Sequence, residues 1–287
     1  MNICLVGATG YLGQHLAKEM NSRKINPIIL TRRWNEGFDS IIKTKYVYKV
    51  DFTNPTSLSQ KLLGVDIVIS TLGITRQKDN LTYMDVDYQA NLNILNEAIN
   101  CGVKKFIYVS ALNGDKLKNI KIFEAKEKFV EQLKKSNLEY LILRPNGFYS
   151  DMKDFLQMAK SGRVYLFGKG DKKLNPIDGT DLAKFCLDSI SLKNQELEVG
   201  GPIIFSHNDV AELAFKILNK KPKITYLPDF IRKFILKILP IFLSSKTYGP
   251  IEFFLSVMGI DMIAPKEGKY TLESFYKNEI KKNLNNI

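Results

Sequence analysis

Glycines at positions 7, 10 and 13 in NICLVGATGYLGQHL follow an apolar run directly and lead directly into a helical one. This constrains the fold more than any other feature of the chain. Glycine permits a turn too tight for other residues and lets main-chain N–H groups approach an anion at a helix N-terminus, where the helix dipole favours negative charge. With a strand before it and a helix after it, GxxGxxG is a pyrophosphate-binding turn, and Gly7, Thr9, Gly10, Tyr11, Leu12 and Gly13 are its candidate contacts. The plainer alternative is a tight strand-to-helix turn with no ligand.

The alternation continues. NPIILTR, KYVYKVD, DIVISTLG, KKFIYVSA and YLILRP read as strands. Between them lie helical patterns: one opened by Asn54-Pro55 through Leu63, a long one ending near Asn100, and one around Lys126. Strands alternating with helices predict an α/β fold, a doubly wound parallel sheet of Rossmann type. Residues 1–150 are expected to form this core. Residues 151–287 are expected to add the remaining sheet elements and a small C-terminal lobe on the substrate side. The lysine- and asparagine-rich tail KNEIKKNLNNI reads as a fraying end.

The second strand bears on which dinucleotide binds. An NAD site ends that strand in Asp or Glu for the ribose 2′-hydroxyl, whereas an NADP site uses arginine for the 2′-phosphate. Here the strand ends in Thr31, Arg32 and Arg33, with no acid, which favours NADP over NAD. Asp51 and Phe52, closing the third strand, are placed toward the adenine, or form a helix-entry turn. Ser70, Thr71, Leu72 and Gly73 end the fourth strand and Ser110 ends the fifth, so both loops should border the crevice beyond the strand carboxyl ends. Ser110 either orients a substrate carbonyl or is an ordinary turn serine.

Taken in order, GATGYLG, TRR, Asp51, VSALN, Ala125-Lys126 and LRPNGFY resemble the atypical short-chain dehydrogenase/reductase superfamily over residues 1 to 215. RPNGFYSDM, GRVYLFGKGDKKLNPI and DLA look most like NmrA-like proteins, divinyl chlorophyllide 8-vinyl reductases and the 39-kDa complex I subunit group. The resemblance implies an NAD(P)-binding protein. Lys126 matches the lysine of the superfamily's YxxxK motif and Ile122 stands at its tyrosine. Isoleucine carries no proton to donate, so the usual carbonyl reduction is called into question. By the same resemblance Lys126 binds the nicotinamide ribose and is the candidate proton donor or relay, Asn146 holds the carboxamide or a substrate polar group, and Phe148 and Tyr149 either wall the nicotinamide or pack in the core. Tyr88 and Asn91 match the family pattern as packing or capping residues.

Two functions follow. One is an NADPH-dependent reductase of a C=C or C=O bond in a small or lipophilic substrate. The other is a non-catalytic NADP-binding redox sensor or assembly factor for a membrane complex. A net charge of +12 favours anionic partners, but the chain has no arginine-rich arm, zinc spacing or aromatic RNA-binding signature, so nucleic acid is not expected. Cys4, Cys101 and Cys186 are far apart, and His15 and His207 are isolated and read as surface or helix residues, so neither disulfide nor metal site is expected. These features, with a start that shows no secretory signal, fit a cytoplasmic protein. Residues 229–243 form a basic amphipathic pattern, with Phe230, Phe234, Ile238 and Phe242 at helical spacing and Arg232, Lys233 and Lys237 between them. Such a helix either packs over the substrate cleft or a dimer face, or lies on anionic lipid as a peripheral membrane contact.

Overall fold

The computed structural model describes residues 1–39, 42–75 and 81–284. β1 (Ile3–Val6) runs into α1 (Tyr11–Ser22), followed by β2 (Ile28–Thr31), the single turn α2 (Glu36–Asp39), β3 (Tyr46–Lys49), α3 (Pro55–Leu58) and β4 (Ile67–Ser70). A π-helical stretch, Met84–Ala90, continues into α4 (Asn91–Asn100), and β5 (Lys105–Val109), α5 (Lys121–Lys135) and β6 (Glu139–Pro145) complete the alternation. Beyond it come α6 (Lys153–Lys160), β7 (Val164–Phe167), β8 (Lys173–Leu174), α7 (Gly179–Asp188) and β9 (Gln195–Val199). The chain ends with β10 (Phe205–Ser206), α8 (His207–Ile217), β11 (Ile224–Leu227), α9 (Asp229–Phe242), α10 (Ser245–Val257) and α11 (Leu272–Leu284).

Seven strands form one parallel sheet in the order β3-β2-β1-β4-β5-β6-β9. This is the doubly wound Rossmann arrangement expected from the alternation. β1, β2, β4 and β5 are buried along their whole length, as strands covered by helices on both faces must be, and their near-continuous Ile, Val and Leu satisfy that demand. The edges are polar: β3 carries Lys49 and β9 carries Glu196 and Glu198, which discourages pairing with further strands. One face of the sheet packs on α1 and α7, the other on α3, α4 and α5. A third apolar cluster joins α6, α8 and α11 with β7.

Two local expectations change. The helix opened by Asn54, whose side chain accepts the Thr56 N–H, stops at Leu58 rather than Leu63. Ser59 leaves helical geometry and Gln60 takes a φ of 60°, so the chain turns early toward β4. The tail expected to fray is α11 through Leu284, anchored by the Tyr276 hydroxyl donating to the Met152 carbonyl at 2.6 Å; residues 285–287 lie outside the described residues.

Candidate functional site

The order of strands reverses between β1 and β4, and the crevice beyond their carboxyl ends is where a doubly wound sheet binds ligands. A cavity of about 320 Å³ occupies that place. Its lining draws on Gly10 to Gly13 after β1, Thr71 and Gly73 after β4, Ser110 after β5, Lys126 from α5 and Asn146 after β6. Residues scattered over some 140 positions of sequence are thus brought to one cleft. Thr9 and Gly7 lie in the glycine turn itself, and Leu72 packs against the core behind it.

The glycines have separate physical duties. Gly7 has a φ of 84°, and a Cβ there would meet Thr71 Oγ1 at 2.6 Å. At Gly13 a Cβ would lie 2.1 Å from the Gly7 carbonyl oxygen, so only glycine lets α1 sit against the turn. At Gly10 the nearest atom would be 3.3 Å away, and the absent side chain leaves open space at the helix end. No side chain caps α1 and no acid occupies its first turn. Its leading N–H groups therefore remain available to an anion. These residues fit a nucleotide pyrophosphate.

Lys126 points into the floor of the cleft. Its Nζ lies 2.9 Å from Asp87 Oδ1, with the lysine side chain 12% exposed and the aspartate wholly buried. Burial disfavours both charged forms and raises the proton affinity of Asp87, but the Asp87 carboxylate together with Tyr108 outweighs it on Lys126 and holds the lysine protonated. Asp87 arrives from the π-helical stretch, where the Asn91 amide donates to the Val86 and Asp87 carbonyls at 3.2 and 3.1 Å. Those carbonyls are thereby drawn into side-chain bonding within the helix, consistent with its locally widened winding. Asn91 also accepts from Ser70 Oγ at 2.6 Å and donates to the Leu72 carbonyl at 3.1 Å, tying the β4 loop to the same segment. Sequence reasoning missed Asp87; the pair of acids in MDVDY was the available signal.

The fifth-strand serine is already engaged. Ser110 Oγ donates to Glu127 Oε1 at 3.1 Å, and Glu127 takes a two-pronged bond from Arg144 at 2.6 and 2.8 Å. Asn146 is buried, and its amide nitrogen donates to Asn175 Oδ1 and to the Met262 carbonyl while its oxygen accepts the Gly147 N–H. It holds the cleft wall together. Phe148 lines the cavity, whereas Tyr149 takes the core alternative: it is fully buried in the adjoining apolar cluster, its hydroxyl donating to the Tyr270 carbonyl at 2.8 Å. Ile122 also lines the cavity, so the position of the expected tyrosine is an apolar wall facing the site.

At the far end, Arg32 and Arg33 are exposed beyond β2, and Asp51 is exposed beyond β3. The Thr53 hydroxyl and amide hold the Asp51 carboxyl below its usual range, opposed by slight burial and assisted by the charge of Arg32. The Phe52 ring belongs to the core, and its carbonyl accepts from Asn93 at 2.9 Å. None of these four borders the cavity, which ends nearer the glycine turn.

A second chamber of about 470 Å³ adjoins the first and shares Asn146, Ser150, Asp151, Phe253 and Met262 with it. Its other walls come from α6, α10 and His207 at the start of α8, and most of its lining is apolar. His207 is therefore no surface residue: it is 4% exposed, and burial pushes its imidazole down to about 4 despite Asp171 and Asp261. His15 is half-buried between α1 and α7, 3.1 Å from Thr180 Oγ1. Among the described residues no cluster of His, Cys, Asp or Glu is arranged to hold a metal ion.

Comparison with known proteins agrees with this geometry. Residues 7–193 match the NAD(P)H-binding family model. The chain is 28% identical to the chloroplastic divinyl chlorophyllide a 8-vinyl-reductase of Arabidopsis thaliana, over 99% of this chain and 78% of that one. It is 25% identical to the photosystem II assembly factor Ycf39 of Trieres chinensis, over 91% and 83% of the two chains. Among solved structures, the NADPH-dependent quinone oxidoreductase QOR2 of Escherichia coli, complexed with NADPH, superposes with a TM-score of 0.74 at 17% identity over 97% of this chain and 99% of that one.

Proposed function

The chain belongs to the NAD(P)H-binding family, and from that premise we propose that it is an NADPH-dependent reductase of a C=C or C=O bond in a small, lipophilic substrate. The observation that carries this reading is the pair of adjoining cavities: a crevice at the glycine turn opens beside a larger chamber, both lined mostly by apolar surface, with shared walls at Asn146 and Asp151. A cofactor in the first would present its reactive end to a substrate in the second. When bound, the reduced nicotinamide supplies the hydride. The residues of the chain bind and orient. Main-chain N–H groups from Gly7 to Gly13, including those of Thr9, Tyr11 and Leu12, hold the pyrophosphate, while Arg32 and Arg33 bind the 2′-phosphate. Asp51 flanks the adenine, with Phe52 fixing the main chain beside it from the core, and Thr71, Leu72 and Gly73 border the dinucleotide's middle. Lys126, kept cationic by Asp87, donates hydrogen bonds to the nicotinamide ribose. Ser110 and Asn146 form the wall against which the reacting groups align.

The test is twofold. Calorimetric titration of the protein with NADPH should show saturable binding, and NADPH oxidation should be detectable with a panel of enones and quinones. Binding without turnover of any panel member would move the assignment to a non-catalytic NADP-binding sensor or assembly factor.

A separate observation concerns α9, whichever function holds. Phe230, Phe234, Ile241 and Phe242 on α9 are 61–76% exposed, whereas the one residue this helix buries is Arg232, bonded to Asp229 and to the Leu255 carbonyl. Lys233 and Lys237 are exposed on the same helix. Protruding aromatics beside lysines suit an anionic bilayer surface, where apolar insertion and charge attraction act together. We propose peripheral lipid contact through α9, compatible with either function. No helix among the described residues is long and apolar enough to cross a membrane.

A further inference from the structure

Reduction of a double bond needs a proton as well as a hydride, and Ile122 removes the usual donor. The other candidates bordering the crevice are weaker donors. Burial and the nearby Asp178 charge raise the proton affinity of the Tyr11 phenol, and Ser110 gives its hydrogen to Glu127. Lys126 is ion-paired with Asp87, and a lysine held in its charged form is a poor acid. Asp151 differs from all of these. Among the described residues it is the one carboxyl that lines both the crevice and the apolar chamber.

We propose that Asp151 is the proton donor of the reduction, an assignment that rests on the reductase reading above. Its Oδ2 accepts the Phe148 N–H at 2.9 Å, which fixes the carboxyl at the junction and leaves the other oxygen to carry the proton. In the step itself the substrate's double bond opens, one of its atoms having received hydride from the reduced cofactor. The Asp151 O–H bond breaks as its proton forms the second new bond, to carbon or oxygen. The carboxylate left behind regains a proton from solvent, which reaches Asp151 within the cleft. Asp151 is exposed to solvent at the cleft, yet the protein around this concave site raises its proton affinity, the Phe148 amide partly opposing and Asp154 on the next turn reinforcing the shift. Tyr11 and Lys126 across the crevice, with Asp154 and His207 in the chamber, are the other titratable groups that border the two cavities.

Asparagine at 151 keeps an oxygen for the Phe148 N–H, so Asp151→Asn preserves the turn and removes only the proton. The first measurement is a carbon-detected NMR titration of the aspartate carboxyls in the ligand-free protein, with Asp151 assigned by its absence in the variant. The Asp151 midpoint is expected above the ordinary aspartate value of about 3.9. The second measurement is NADPH oxidation with 1,4-naphthoquinone and 2-cyclohexen-1-one. Asp151→Asn should bind NADPH as the parent does yet lose at least about 100-fold in turnover, with part restored by Asp151→Glu. An ordinary midpoint, or turnover retained in Asp151→Asn, overturns the donor role and leaves the reductase reading standing. A parent that binds NADPH but reduces neither probe overturns that reading, and the donor role with it.

Discussion

Lys126 Nζ and Asp87 Oδ1 meet at 2.9 Å beneath the crevice, and Gly73 is the residue that permits it. A Cβ on Gly73 would lie 2.6 Å from that carboxylate oxygen and 3.0 Å from the ammonium. The β4 loop, the π-helical segment and α5 therefore converge on one ion pair, each supplying a part that the other two cannot replace. The Lys126 charge also lies 5.6 Å from the centre of the buried Tyr108 ring.

The first prediction concerns this pair. Lys126→Met leaves the Asp87 carboxylate buried without its partner, which should cost about 3–5 kcal/mol in urea denaturation. Replacing both, as Lys126→Met with Asp87→Leu, should recover much of the loss because no uncompensated charge remains. A single variant as stable as the parent would mean that the two groups do not form an ion pair in solution.

What was legible in the sequence was what depends on neighbours along the chain. Gly7, Gly10 and Gly13 declare their turn because the backbone geometry they permit is local, and the buried Ile, Val and Leu of β1 and β4 announce a covered parallel sheet. Asp87 was not legible. Whether Asp85 or Asp87 turns inward depends on the π-helical winding that Asn91 accompanies, and on a glycine more than ten residues earlier. The placement of Tyr149 stayed open because RPNGFY has neither a helical nor a strand period to say which of two consecutive aromatics faces the cleft. The spacing of α9 disclosed an apolar stripe; periodicity carries no information about whether protein covers it.

The second prediction separates the two dinucleotides. A guanidinium on a phosphate forms charge-assisted hydrogen bonds worth about 1.5–3 kcal/mol, and NADH lacks the phosphate. Arg32→Ala should thus weaken NADPH about 10- to 100-fold in calorimetric titration while leaving NADH nearly unchanged. Equal weakening of both would remove Arg32 from the 2′-phosphate site.

The third concerns acid. His207 is buried uncharged, its imidazole lowered from 6.5 to about 4 by burial. The unfolded chain takes up this proton near 6.5 and the folded one near 4, so between those values the unfolded state binds more protons and folding weakens as pH falls. The contribution is complete above the upper value and lost below the lower. Over that interval it amounts to about 3 kcal/mol. Between pH of about 7.5 and about 4.5, the parent should lose about 2–3 kcal/mol more stability than His207→Gln. Parallel losses in the two proteins would show that His207 titrates normally.

The last prediction asks what covers α9. Burying an exposed phenylalanine in a lipid interface stabilises binding by about 1.5–3 kcal/mol, and each lysine near an anionic surface adds about 1 kcal/mol. Phe230 and Phe234 lie one helical turn apart and are 69% and 61% exposed, so together they form a sufficient anchor. The parent should float with phosphatidylglycerol-containing vesicles, bind neutral phosphatidylcholine vesicles more weakly, and release from the anionic ones as salt screens the lysines. Phe230→Ser with Phe234→Ser should abolish flotation, and Lys233→Gln with Lys237→Gln should remove the preference for anionic lipid. The same chemistry also fits a second copy of the chain, and light scattering separates the two: a dimer that dissociates in the Phe230→Ser, Phe234→Ser variant, with a parent that never floats, places this face against protein and ends the lipid assignment.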